Sequence, residues 1–145
     1  MSGIDERSEK RANELEEEAW KMAKEGIKYL TPENAFIAVD KFATALNIIN
    51  GDGVNTNGIT LNVDEERRIE LLVFRGDARR LRQWYDLAIE DYEAALDKMR
   101  AMPRVRQALL QPGIADVEEK INATAREGVS FYPDLAKYIK TPDEQ

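Results

Sequence analysis

The chain contains neither cysteine nor histidine. Without cysteine there is no disulfide framework and no thiolate metal site. Without histidine the commonest general base, the usual Ser–His and Cys–His nucleophile pairs, and most zinc or iron sites are lost together. Catalysis would have to rest on carboxylates, Lys, Tyr, Ser or Thr. No paired acid/base signature, Gly-Lys-Ser/Thr phosphate loop or nucleophile elbow is evident. A non-enzymatic protein with no cofactor and no metal is therefore expected. Long apolar runs are missing too: none approaches the roughly 20 residues that cross a bilayer. The opening MSGIDERSEKRANELEEE lacks the apolar segment of a secretory signal. These gaps lead us to expect a cytoplasmic location and no membrane partner. The Asn122-Ala123-Thr124 triplet, which fits a glycosylation pattern, then reads as chance.

What is present suits one helical domain. Hydrophobic residues make up 43% and charged residues 34% of 145 positions, with only 8 Gly and 5 Pro. That length can bury a continuous core. The net charge of −7 is spread unevenly, with −5 over residues 1–64, +1 over 65–110 and −3 over 111–145. The acidic flanks repel phosphate backbones, so nucleic acid is not an expected partner.

Apolar spacing predicts a helix from about Glu6 to Leu30, carrying Leu15, Trp20, Met22, Ala23 and Ile27. Thr31 and Pro32 then read as a cap and first helical position for a second helix, AFIAVDKFATALNII. Three glycines in NGDGVNTNG end it. A third helix is expected from near Asp64 to Arg82. A corner follows at Gln83-Trp84-Tyr85-Asp86, and a fourth helix runs to about Arg100. Pro103 and a turn at Gln111-Pro112-Gly113 punctuate the chain before a fifth helix, DVEEKINATAREGV, and a short closing piece, DLAKYI. No strand is predicted, so the class is all-α.

Three segments resemble one another: AKEGIKYL (23–30), FRGDARRL (74–81) and AREGVSFY (125–132). Gly26 is followed by Ala38, Phe42 and Ala45 at offsets of 12, 16 and 19, and Gly76 by Ala88, Tyr92 and Ala95 at the same offsets. This register predicts close helix pairs, with Gly and Ala letting backbones approach and the aromatic filling the gap. The Arg75-Gly76-Asp77 tripeptide then lies inside a helix and is no adhesion loop.

The pattern resembles the tetratricopeptide repeat family. The second unit carries Leu72, Gly76, Tyr85, Ala88, Ile89, Tyr92, Ala95 and Leu96 at signature positions. The first carries Met22, Gly26, Tyr29, Ala38, Phe42, Ala45 and Leu46, and the third keeps Gly128 and Phe131 before Pro133 cuts it short. The resemblance implies antiparallel helix pairs in a right-handed superhelix. It comprises a first repeat over 19–50, a long loop over 51–64 and a second repeat over 69–100. A linker over 101–114 and a capping partial repeat over 115–140 complete the single domain. Glu25 and Arg75 depart from the family by being charged, and as equivalent sites they are expected to pair across neighbouring repeats.

The resemblance also implies a groove lined by the first helix of each pair. Its positions would be Trp20, Ala23, Ile27 and Leu30, then Glu70, Val73, Asp77 and Arg80, then Asn122, Ala125, Val129 and Tyr132. Apolar walls with charges between them suit an amphipathic helix or extended segment of a partner protein. The chain's own termini covering this surface is an equal alternative. Ala23 and Ile27 replace the Lys and Asn with which family members grip chaperone carboxylates, so that ligand is disfavoured. A structural role through self-association is the second expectation, since a short array leaves its ends uncovered.

Two other features invite function. Arg68, Arg75, Arg79 and Arg82 form one stripe with Arg80 beside it. A solvated face paired with Asp86, Asp91 and acidic neighbours is favoured over an anion site, with Arg80 the candidate ligand contact. The loop NGDGVNTNGITLNVDEE fits the calcium-loop pattern in no register, because apolar residues or Gly fall at obligatory ligand positions. A partner-contacting insertion is the expectation for it.

Overall fold

The computed structural model describes residues 3–52, 61 and 63–140. Among these the protein is all-helical. The elements are α1 (Gly3–Lys28), α2 (Ala35–Asn50), α3 (Glu65–Leu81), α4 (Tyr85–Arg100), α5 (Arg104–Gly128) and a closing 3-10 helix (Pro133–Tyr138). The interior of the loop expected to contact a partner, residues 53–60 and 62, lies outside the described residues. Its rims are tied down: Leu61 and Val63 are buried, the Leu61 amide donates to Ile49 O at 3.1 Å, and Arg68 donates to Leu61 O at 2.8 Å.

Helix ends follow local chemistry in some places and not others. Asp64 caps α3 by accepting from the Glu66 amide at 3.1 Å, with Glu65 and Glu66 favourably placed in the first turn. Gly51 closes α2 in the left-handed conformation at φ 78°, where a Cβ would be strained. The α2 start differs from expectation. Residues 31–34 form a turn, Asn34 precedes the helix without a side-chain cap bond, and Thr31 Oγ1 has no partner. Pro32 is thus one turn outside the helix. The break expected at Gln111-Pro112-Gly113 is also absent, because α5 runs through it as 25 residues with Pro112 inside. Ile114 and Val117 are buried just beyond the proline, and that burial outweighs the lost helical hydrogen bond.

The helices pack mainly on their chain neighbours, α1 on α2, α2 on α3, α3 on α4 and α4 on α5, with the 3-10 helix on α5. The shared register determines how the first two hairpins close. A Cβ built on Gly26 would stand 2.7 Å from Phe42, and one on Gly76 would stand 2.7 Å from Tyr92. Only hydrogen fits at either place, so both glycines serve packing and neither ends its helix. Phe42 also stacks on Phe74 with ring centroids 5.5 Å apart, joining the first hairpin to the second. Gly128 behaves differently: its close neighbour is Tyr85 of the preceding α4, whose Cβ lies at 2.5 Å.

Glu25 and Arg75 do not pair across the hairpins. Glu25 binds Lys41 at 3.0 Å, and Arg75 binds Asp91 at 2.8 Å. Each partner lies 16 residues on, the offset that also joins glycine to aromatic. The two hairpins thus carry the same ion pair with its polarity reversed.

Candidate functional site

Contacts between α1, α3 and α5 set their relative direction. The Arg67 guanidinium lies 4.9 Å from the Trp20 ring centroid, and Leu30 and Leu81 line one cleft. Glu66 pairs with Arg106, Asp77 with Lys120 and Arg80 with Glu127. Rising residue numbers pair in order, so the three helices run side by side in one direction. Their outer edges form a common face.

Two clefts open along α3 and α5 on that face. One, of about 280 Å³, has a floor of Ile69, Val73, Phe74, Leu110 and Val117, with Glu66, Glu70 and Asp116 at its rim. The other, of about 530 Å³, lies nearer the ends of α1 and α3 and is lined by Leu30, Asp77, Arg80, Leu81, Lys120 and Glu127. Its charges are already engaged. Arg80 Nε donates to both Glu127 oxygens at 3.2 and 3.0 Å, and that carboxylate raises the guanidinium above its ordinary pKa. Asp77 Oδ1 accepts from Lys120 at 3.0 Å and from the Tyr92 hydroxyl at 2.6 Å. Burial, reinforced by Asp77, pushes Tyr92 far above the usual phenol range.

The structure separates the sequence-predicted positions into three groups. Trp20, Leu30, Val73, Asp77, Arg80 and Val129 are half-buried, whereas Ile27, Glu70 and Tyr132 are exposed. Ala23, Asn122 and Ala125 are buried and offer no surface to a ligand. Asn122 is also covered by the chain itself, since its Oδ1 accepts from the Lys140 amide at 2.9 Å. The third-unit positions follow from Gly128 only if it packs as Gly26 and Gly76 do. Because Gly128 turns toward Tyr85, the stripe of α5 that reaches α3 is instead Gly113, Asp116, Lys120 and Glu127. The i, i+3/i+4 spacing of these residues carried that signal.

The arginine stripe is a structural network. Asp91, with only 4% of its side chain exposed, accepts from Arg75 at 3.0 and 2.8 Å and from Arg79 at 3.0 Å. Burial holds Arg79 below its ordinary pKa, with Asp91 pulling the other way. Arg68 binds Glu65 at 3.0 Å, and Arg82 sits 5.9 Å from the Phe36 ring and 5.7 Å from Trp84. Asp86, expected as a partner, pairs with no arginine among the described residues.

Apolar exposure is concentrated in two places. Ile27, Phe36, Leu81, Trp84, Phe131 and Tyr132 lie at the end where α1, α3 and α5 finish, and Val105 and Leu109 lie in the first turns of α5. No helix of the described residues is long and apolar enough to cross a membrane. No protein-family model matches the chain, and no curated protein or solved structure matches it.

Proposed function

We propose that the chain is a non-enzymatic adaptor that binds a peptide or helix of a partner protein. Its hairpins would stack as tetratricopeptide repeats do, in a right-handed superhelix, with α1, α3 and α5 forming the ligand face. The repeated Gly–aromatic register and the common direction of these helices support that arrangement. The observation that carries the binding role is the apolar cleft between α3 and α5. Ion pairs bridge the two helices at Glu66–Arg106 and Asp77–Lys120, yet the stretch between stays open above Val73 and Phe74. One large anchor buried there contributes roughly 1.5–3 kcal/mol. Arg80 serves to lock α3 to α5 rather than to meet the ligand.

The test is affinity capture from lysate with wild type, Val73→Glu and Phe36→Glu, all shown to be folded by circular dichroism. A partner held by wild type and Phe36→Glu but lost by Val73→Glu supports the role. Identical capture by all three baits contradicts it.

Self-association is the second proposal, favoured by the six exposed apolar side chains gathered at one end of the helices. Sedimentation over a concentration series reads it directly. A mass that rises with concentration for wild type and stays monomeric for Trp84→Lys supports this mode.

A further inference from the structure

We infer that the α3–α5 cleft takes an amphipathic helix of a partner protein with Lys or Arg flanking its apolar stripe. The inference rests on the binding role proposed above and narrows its ligand. Three observations lead to it.

The first is shape. The cleft floor is apolar and lies between two parallel helices, a trough along which a third helix can lie. The second is charge. Four cations in and around the α3–α5 cleft are engaged: Arg106 with Glu66, Lys120 with Asp77, Arg80 with Glu127, and Arg67 with the Trp20 ring. Glu70 on one wall and Asp116 on the other are exposed, and among the described residues no hydrogen bond or ion pair engages either. The unanswered charge at the rim is therefore negative on both sides, and it complements a ligand bearing cations on both flanks.

The third observation is continuity. Val105 is 80% and Leu109 69% exposed. Stepping by four from Val105 gives Leu109 and then Gly113, which lines the cleft, and Asp116 and Lys120 continue the same edge of α5. The two exposed side chains thus extend the cleft floor toward the start of α5. From Val105 to Lys120 the edge is about 22 Å long at 1.5 Å per residue, which matches a partner helix of about four turns. Such a helix would cover Val105, Leu109 and Val73 together and bring its flanking cations to Glu70 and Asp116.

The probe is a fluorescein-labelled peptide of about sixteen residues, with Leu along one helical stripe and Lys elsewhere. Comparators are the same peptide with every Lys replaced by Glu, and a shuffled Leu/Lys peptide that has no stripe. Anisotropy titration of the full chain should show binding of the striped Leu/Lys peptide that weakens with salt. The other two peptides should bind about tenfold more weakly or not at all. Glu70→Lys combined with Asp116→Lys should weaken the striped peptide by about tenfold. Glu33→Lys combined with Asp40→Lys makes the same change in net charge on exposed positions elsewhere. This pair should leave affinity within about twofold.

Three outcomes overturn the inference. They are no binding of the striped Leu/Lys peptide, equal binding of either comparator, or an equal loss in the distant charge variant. Tight binding of the Leu/Glu peptide that Val73→Glu abolishes would overturn the basic ligand while leaving the cleft a binding site. Capture from lysate unaffected by Val73→Glu would remove the binding role itself.

Discussion

The Tyr92 ring lies 2.7 Å from the point where a Cβ on Gly76 would sit, with Ala88 O at 3.2 Å on the other side. Gly26 meets Phe42 in the same way, and Gly128 meets Tyr85 still more closely. Gly113, also inside a helix, has only Met99 Sδ nearby at 3.9 Å, an ordinary contact. One substitution should therefore act with opposite sign at different glycines. Gly26→Ala and Gly76→Ala should destabilise, because overpacking costs roughly 1–3 kcal/mol against a helix-propensity gain of about 1 kcal/mol. Gly128→Ala should lose at least as much, since its neighbour is a Cβ that cannot swing away. Gly113→Ala should gain about 0.5–1 kcal/mol. Chemical denaturation of the four variants checks the order.

The two polarity-reversed ion pairs should differ in weight. Glu25 and Lys41 are both partly exposed, so solvent screens the pair and Glu25→Ala should cost little. Asp91 is buried beneath two guanidinium groups, and Asp91→Ala would leave Arg75 and Arg79 facing each other without an anion. A loss of about 3 kcal/mol is expected, measured by the same denaturation experiment.

Acid should weaken the fold through identifiable carboxylates. A hydrogen bond from Lys41 draws Glu25 below its ordinary 4.5. At Glu65 partial burial opposes ionisation, but hydrogen bonds from Arg68 and Lys98 outweigh it and also leave the group below 4.5. Both groups therefore hold fewer protons folded than unfolded in that window. Their contribution is complete above pH 4.5 and is lost as pH falls through the lowered values. Glu65→Gln should flatten the acid limb of stability against pH relative to wild type, and an unchanged slope would contradict the assignment.

Tyr92 supplies the alkaline counterpart. Its folded pKa lies above the ordinary 10.0, so its contribution is present below pH 10.0 and is lost as pH rises beyond it. Ultraviolet titration should show one of the 5 tyrosines ionising only when the chain unfolds. That late step should disappear in Tyr92→Phe.

Much of the fold was legible because local and tertiary signals agree. Asp64 ahead of a glutamate pair marks a helix start, and the glycine–aromatic offset of 16 reports a packing distance that only glycine permits. Pro112-Gly113 misleads because local propensity and burial conflict there, and burial of Ile114 and Val117 prevails. The candidate face was legible on α3 and much less so on α5. Gly128 has the sequence context of Gly76 but packs against the preceding helix, and this rotates every position counted from it. Which charges remain free was not legible at all. Arg80 and Glu127 are 47 residues apart, and only the packing of α5 on α3 brings them together.

The most direct measurement is site-specific photo-crosslinking in cells of the source organism. A photoreactive side chain would replace Val73 or Leu109 at the cleft, or Asp40 on the exposed side of α2. A ligand-binding cleft predicts one heterologous adduct shared by the Val73 and Leu109 probes and missing from the Asp40 probe. The same adducts at all three positions, or adducts of the chain with itself alone, would contradict a partner-binding cleft between α3 and α5.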